Sequence, residues 1–459
     1  MTNKSKNARE IVLDIVMDVL EEEKYSHLVI RETLNQLEDS QDDKVEKNFI
    51  TRLAQGAIER KITLDYVINQ FSKVKVQKMK PFIRNLLRIS VYQILFMDSV
   101  PDSATCNEAV KLAKKRGFIN LAPFVNGVLR GIARGKDGVT YPDESKEPVE
   151  ALSVTYSVPE WLVSLFLSEK GEKATKEILE NMLEEPAILS VRVNTSIASV
   201  EETITCLKEE GVTVSESGLA ENMLMLERYG NVADLKAFQK GMIQVQDISS
   251  ALVGQISGAK KGDCIIDMCA APGGKTIHVA DRLEGTGTVI ANDISEHKTA
   301  LILENVKRCG FCNVRISVQD ATVLNEDYKN QADIVLADVP CSGLGVLKHK
   351  SEIKYRLQQE DITNLAEISQ KILNCAVQYL KCGGTLIFST CTMTNAENEA
   401  IREWLLQTYD LEPVSIMKDL SDNILDIGNN RNMAEQGYLS LNIRKEYDGF
   451  FMAKFKKKR

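Results

Sequence analysis

Four histidines in 459 residues is a sparse supply, and they are scattered along the chain. Cys309-Gly310-Phe311-Cys312 has the C-x-x-C spacing, but no second pair or histidine motif follows it, which argues against structural zinc. No uninterrupted apolar run is long enough to span a bilayer, so no membrane association is expected. The opening residues, Met1-Thr2-Asn3-Lys4-Ser5-Lys6, lack the apolar core of a secretory signal. Internal repeats and long low-complexity segments are missing as well. Ten cysteines without a secretory context then read as free thiols in a reducing compartment, and the expected location is the cytoplasm.

What is present is an ordinary globular composition, 44% hydrophobic and 27% charged, over a length that suits two or three domains. The net charge of −8 is unevenly spread. Residues 1–140 hold 23 Lys and Arg against 18 Asp and Glu, and the end, Lys454 to Arg459, is basic again. A basic first third is compatible with a polyanionic partner, and a solvated helical surface explains it equally well.

Residues 8–135 read as helices. Ile11, Ile15, Val16, Val19 and Leu20 fall at helical spacing, as do Phe49, Leu53, Ala57 and Ile58. The run from Pro81 to Val91 opens with proline and alternates arginine with an apolar stripe, which predicts a helical domain with basic faces. Three segments, Arg88 to Leu95, Asn107 to Val110 and Phe124 to Arg130, resemble the NusB-type fold. That resemblance implies an RNA-binding all-helical domain, here 1–138.

A Gly-, Asp-, Glu- and Pro-rich linker follows at 135–148. Strand, helix and strand patterns at Ile188 to Asn194, Val200 to Glu210 and Val212 to Val214 predict a small α/β domain over 150–240. Arg192 and Asn194 on its first strand suit either RNA contact or an exposed strand face. Gln244-Val245-Gln246-Asp247 begins the third domain, 241–459. There strands at 263–268, 288–292, 314–318, 332–338 and 384–389 alternate with helices at 273–283, 295–309, 361–381 and 396–408, and a late strand closes at Phe450 to Phe455. Such alternation calls for a mostly parallel, Rossmann-like sheet.

The chemistry centres on Asp267-Met268-Cys269-Ala270-Ala271-Pro272-Gly273-Gly274-Lys275-Thr276, a turn of small residues between the first of these strands and a helix. Small residues let a ligand approach the backbone, Pro272 suits a first helical turn, and a helix N-terminus favours polar or anionic groups. A P-loop needs glycine where Cys269 stands, and G-x-G-x-x-G is absent, so ATP and NAD are not supported. Four acids, Asp267, Asp293, Asp320 and Asp338, stand at or near strand ends, where a doubly wound sheet binds its ligand. Asp293 lies about 20 residues beyond the turn, where a carboxylate accepts from a ribose, and Asp320 is placed for an adenine amino group. Together they point to an adenosine-bearing cofactor. Two cysteines, Cys341 in Asp338-Val339-Pro340-Cys341-Ser342-Gly343 and Cys391 in Ser389-Thr390-Cys391-Thr392, sit in turns after neighbouring strands. Lys275 and the helix N-terminus both favour a thiolate there. Cys206, Cys264, Cys375 and Cys382 read instead as small buried hydrophobes.

These three motifs resemble those of S-adenosylmethionine-dependent RNA cytosine-5 methyltransferases. With the NusB-like segments the likeness narrows to the 16S rRNA (cytosine-5)-methyltransferase B family and covers nearly the whole chain. The resemblance implies S-adenosyl-L-methionine as cofactor, held by Cys269, Ala270, Ala271, Pro272, Gly273, Gly274, Lys275, Asp293, Asp320 and Asp338. It implies Cys391 as nucleophile, Cys341 as the residue that releases product, 16S rRNA as partner, and cytosine 967 as target. Lys275 gains a further electrostatic role, and a monomer without metal is expected. Chemistry alone does not choose between the thiols, because in DNA cytosine methyltransferases the Pro-Cys motif carries the nucleophile. Where the family has Arg-Arg-His-Pro, this chain has Lys348-His349-Lys350-Ser351, which keeps charge but not bidentate geometry. The other functions weighed are an RNA cytosine-5 methyltransferase acting on tRNA and a non-catalytic RNA-binding or antitermination module.

Overall fold

The computed structural model describes residues 7–37, 41–183 and 188–458, with the side chains of 41–44 left aside. The opening hexapeptide and Arg459 lie outside the described residues. Two compact units form, one from residues 1–183 with 347–356, the other from 184–346 with 357–459.

The first unit is helical: α1 Ala8–Leu20, α2 Ser26–Asn35, α3 Gln41–Glu59, α4 Lys61–Phe71, α5 Pro81–Phe96, α6 Asp102–Lys115, α7 Ala122–Gly135, α8 Pro148–Tyr156 and α9 Glu160–Met182. Asn7 caps α1 by accepting from the Glu10 amide at 2.9 Å, and Pro81 opens α5, where its missing N–H costs no helical bond. Val12, Leu13, Ile50, Leu53, Leu87 and Leu129 are fully buried together. Segment 347–356 returns to this unit. The Ser26 amide and hydroxyl donate to the buried Glu352 at 3.0 and 2.8 Å, and the Tyr355 hydroxyl donates to the Glu59 carbonyl at 2.5 Å. Burial and the neighbouring tyrosine ring surround Lys354, whose pKa burial pulls down to about 8.

The expectation of basic faces needs one correction. Arg84 and Arg88 do not face solvent on α5. Arg84 pairs with Glu21, and Arg88 grips Asp65 through two bonds of 2.7 Å while donating to Asn85 at 2.8 Å. A buried guanidinium is tolerable only when its charge and donors are met.

The second unit holds two sheets. Strands β1 Leu189–Val193, β2 Thr213–Glu216, β3 Met223–Glu227 and β4 Ile243–Val245 form an antiparallel sheet in the order β2-β3-β1-β4, with α10 Val200–Glu209 and α11 Lys236–Gln239 beside it. Strand β4 lies beyond Gly241, so Gln244 and Val245 complete this small sheet rather than opening the next. Arg192 and Asn194 are buried, not available to RNA: the guanidinium meets Asp281 at 2.8 Å.

After α12 Ile248–Ile256 come β5 Cys264–Asp267, α13 Gly274–Arg282, β6 Thr288–Asp293, α14 Glu296–Arg308, β7 Val314–Val318, β8 Ala332–Asp338 and β9 Leu380–Thr390. Helices at Gln359–Tyr379 and Glu399–Thr408 flank β9. The order β9-β8-β5-β6-β7 is parallel throughout, as expected. Strands β10 Leu411–Pro413, β11 Tyr438–Leu441 and β12 Phe450–Lys457 add an antiparallel edge, with β12 beside β9.

Replacing Asp65 by Ala strands the Arg88 guanidinium, which is only 5% exposed. The expected cost is about 3 kcal/mol, read as a lower urea midpoint with an unchanged m-value.

Candidate active site

Register decides which residues meet. Strand β5 runs parallel between β6 and β8, and β8 between β5 and β9, so Asp267, Asp293, Asp338 and Thr390 end at the same edge. Asp338 pairs with Ser389 across β8 and β9. The chain leaves β5 through Met268 and turns back at Gly273, whose φ of 106° a side chain would resist. Gly273 caps α13, so Pro272, in a cis bond after Ala271, precedes the helix instead of sitting in its first turn.

The Asp267 carboxylate is 1% exposed; one oxygen accepts from the Thr276 hydroxyl at 2.6 Å, and the other has no hydrogen-bond partner among the described residues. Burial is the main force lifting its pKa to about 7, with Asp338 adding to it. Asp338 accepts from Lys275 at 2.8 Å and from the Ser389 hydroxyl at 2.7 Å. Burial opposes the Lys275 charge, but Asp338 outweighs it and holds the pKa above that of an ordinary lysine. The ammonium also lies 5.2 Å from the centre of the Phe450 ring.

The two thiols come together. Cys341 Sγ and Cys391 Sγ are 3.1 Å apart. The hydrogen bond to Cys391, and then burial, drive the Cys341 pKa well above the usual thiol range, and either sulfur can be the donor of the bond between them. Burial likewise pushes Cys269 upward, which keeps that thiol neutral.

A cavity of about 280 Å³ collects most of the expected residues: Cys269, Ala270, Ala271, Pro272, Gly274, Lys275, Asp338 and Cys391. Gly273, Asp293, Asp320 and Cys341 are not among its walls. Asp293 is spent on the turn, accepting from the Ala271 amide at 2.9 Å and the Ile294 amide at 2.8 Å, although each oxygen keeps a second lone pair. Asp320 is exposed beyond β7 and accepts from the Thr322 amide and hydroxyl, which hold its carboxyl below the usual range. A wider depression of about 1010 Å³ near Thr195, Lys260 and Arg282 holds neither thiols nor strand-end acids other than those of its own wall, so the chemistry belongs to the smaller one. Among the described residues, no helix is long and apolar enough to cross a membrane, and no group of three or more His, Cys, Asp or Glu could hold a metal. Cys382, read as a buried hydrophobe, is exposed.

Several wall residues escaped the sequence reading. Gln246 is 5% exposed, and neither polar atom of its amide has a partner among the described residues. Asp247 is pushed up to about 6 by burial and by Asp448 beside it. With the unpartnered oxygen of Asp267, these groups suit a ligand that both donates and accepts, as an aminoacyl adenosine does. Gln246-Asp247 looked like a domain start, and only the fold turns it toward Lys275.

Behind the thiols lies a second missed residue, Glu397, 1% exposed. One oxygen accepts from the Ser342 amide at 2.8 Å; the other accepts from the Ser342 and Thr394 hydroxyls, each at 2.7 Å. Ser342 follows Cys341, and its hydroxyl is 2.7 Å from that of Thr392, which follows Cys391. Asn398 adds a bond of 3.0 Å to the Thr392 carbonyl. One carboxylate therefore ties both cysteine turns. Glu397→Ala is expected to leave buried donors unmet and cost about 2–4 kcal/mol, with Glu397→Gln keeping more stability and more activity. Urea unfolding, and activity measured at a temperature where both variants remain folded, check this.

Comparison with known proteins gives the family. Residues 256–456 match the model of the 16S rRNA methyltransferase RsmB/F family, 6–134 that of the NusB family, and 158–233 that of a ferredoxin-like domain of RsmF/B-like methyltransferases. A probable ribosomal RNA small subunit methyltransferase B from Bacillus subtilis is 36% identical, covering 99% of this chain and all of its own. A protein of the same description from Synechocystis is 31% identical, covering 98% of this chain and 99% of its own. The crystal structure of PH0851 superposes with a TM-score of 0.81 at 26% identity and covers 99% of both chains. With two curated relatives above 30% identity end to end and a matching catalytic unit, the chain belongs to the RsmB/F family of 16S rRNA methyltransferases.

Proposed function

We propose that this protein transfers a methyl group from S-adenosyl-L-methionine to C5 of one cytosine in 16S rRNA, with cytosine 967 the expected position, through a covalent bond between Cys391 and C6 of the base. In this reading 1–138 binds RNA, and the four-stranded sheet β1 to β4 with its helices is a small α/β domain, so the boundaries expected at 150 and 240 both move later. The parallel sheet beyond it carries the chemistry in a cytoplasmic monomer. The observation that carries it is the pair of thiols 3.1 Å apart beside a cavity walled by Cys391, Lys275 and Asp338.

Bound S-adenosylmethionine supplies an electrophilic sulfonium methyl. Residues 269–275, Asp267 and Gln246 would hold it in this reading, together with Asp293, Asp320 and Asp338. Cytosine C5 is a weak nucleophile, so the protein must raise its electron density. The Cys391 thiolate adds to C6, and the electron pair of the 5,6-double bond moves so that C5 takes the methyl, the sulfonium sulfur keeping the pair of the broken S–CH3 bond and leaving as a neutral thioether. Loss of the C5 proton then restores the double bond and expels the Cys391 thiolate. Cys341, whose Sγ lies 3.1 Å from that of Cys391, serves this release. Lys275 and Asp338 stand ready for the polar edge of the base, and Lys275 favours the Cys391 thiolate electrostatically. A base buried in a duplex cannot reach such a cavity, so the cytosine must be unstacked or presented in a loop.

Cys391→Ala is expected to abolish methylation and any covalent RNA adduct, and Cys341→Ala to accumulate the adduct on a denaturing gel. The opposite pattern reverses the roles. Bisulfite sequencing of rRNA and tRNA from cells with and without the protein tests the substrate: one 16S cytosine mark is expected to disappear, and loss of a tRNA mark alone favours the tRNA reading.

A pH test addresses Asp267. Its folded pKa, about 7, stands above the unfolded value, so the protonated acid stabilises the fold at low pH and this contribution is lost as pH rises through 7. Asp267→Asn is therefore expected to gain on the order of 2 kcal/mol at pH 8 without ligand while losing cofactor affinity. Thermal unfolding across pH and calorimetric titration of S-adenosylmethionine check the two halves.

A further inference from the structure

Between Asp65 and Asp98 the chain carries no acidic residue, yet it holds Lys73, Lys75, Lys78, Lys80, Arg84 and Arg88. The structure divides these six charges in two. Arg84 and Arg88 turn inward onto Glu21 and Asp65. The four lysines lie on the connection between α4 and α5; all are exposed, and none has a carboxylate partner among the described residues. Elsewhere in this unit the cations of Lys111, Lys115, Arg116 and Lys136 are paired with Glu108, Glu10, Asp14 and Asp102.

The connection is also held in shape. Val76 is fully buried and Met79 is 7% exposed, so two apolar pegs alternate with the lysines. The Val76 amide donates to the Asn69 side chain at 2.9 Å, and a 3₁₀ turn at Val76–Lys78 is closed by the Met79 amide on the Val76 carbonyl at 3.0 Å. Phe71, just before the first lysine, lies against Gly131 and Gly135 of α7, and Lys80 sits 5.6 Å from the Phe118 ring, itself stacked on Phe82. Four like charges within eight residues repel one another, and a local backbone pinned by pegs and a turn cannot spread them apart. Unlike scattered exposed cations such as Lys114 and Arg130, these four stand close together on one short connection that holds no acid. A chain of phosphates relieves that repulsion and releases its own counterions.

We infer that Lys73, Lys75, Lys78 and Lys80 form a strap that contacts the phosphodiester backbone of the RNA substrate, independent of its sequence. The strap adds to affinity and takes no part in methyl transfer. Backbone contacts position a nucleic acid without reading its bases, so specificity lies elsewhere. The inference rests on the proposed RNA substrate and assigns it a binding surface outside the cavity.

The test is the full-length protein with all four lysines changed to Gln, measured by fluorescence anisotropy against a 16S rRNA fragment over a salt series. A matched control changes the exposed Lys173, Lys208, Lys236 and Lys240 to Gln. Because each phosphate contact contributes about 0.7 to 0.9 to the slope of log affinity against log salt, the strap variant is expected to have a slope shallower by roughly 3 and about tenfold weaker binding near physiological salt. Its KM for RNA should rise while kcat at saturating RNA is unchanged. An unchanged slope and affinity, or an equal fall in the control, overturns the strap. So does a variant that binds RNA normally but no longer binds vesicles of equimolar phosphatidylcholine and phosphatidylserine. The binding arms need no turnover: a wild-type protein that fails to methylate RNA sinks the functional reading while the strap is still decided by anisotropy.

Discussion

The chemistry of this protein depends on a parallel register. Strands β5, β8 and β9 are fixed so that Asp267, Asp338 and Thr390 reach one edge, and the turns that follow carry Cys269, Cys341 and Cys391. Because successive residues of a strand alternate faces, a shift of one residue in β9 would turn Ser389 away from Asp338 and move Cys391 from the cavity. The β12 strand on the far side of β9 holds that register from the other edge. Glu397 then fixes the turns themselves, with a single buried carboxylate serving donors from both.

Charge is handled in two ways within the same molecule. Inside, three cations are matched by acids: Lys275 by Asp338, Arg88 by Asp65, Arg192 by Asp281. Burial makes such matching obligatory, because an isolated interior charge is far costlier than an exposed one. At the cavity the balance is left open by design of the fold. Asp267 and Gln246 keep polar atoms without partners, and Asp247 and Asp448 crowd each other's charge. Unsatisfied polar groups lining a cavity mark where a ligand completes the hydrogen bonding. On the α4–α5 connection the imbalance is external, where solvent makes it bearable until a polyanion arrives.

The thiol pair shows how the fold couples two residues that stand 50 positions apart in the chain. Two free cysteines in polar turns are chemically alike, and either suits a nucleophile. At 3.1 Å they share a hydrogen bond, and that bond, with burial, raises the Cys341 pKa.

Periodicity and turn chemistry made much of the fold legible. The five parallel strands and their helices fell where alternating apolar runs placed them, and Gly273-Gly274 marked the close turn, because these signals are local. Three features were not local. Strands β10 and β11 are short and gain their stability by pairing with β12, so nothing in their own residues announces them. Arg192 looked like a strand surface residue because its partner, Asp281, lies 89 positions away. Gln246, Asp448 and Glu397 reach the site from segments with no recognisable motif. The amino-acid order by itself determined the helical first part, the doubly wound sheet, the small-residue turn and the two candidate thiols. Only the tertiary structure decided that the two thiols meet, which acids wall the cavity, and which cations of an acid-free stretch turn inward and which stay in solvent. Each of those depends on distances between residues far apart in the chain, and Coulomb and desolvation energies follow distance and burial, not position in sequence.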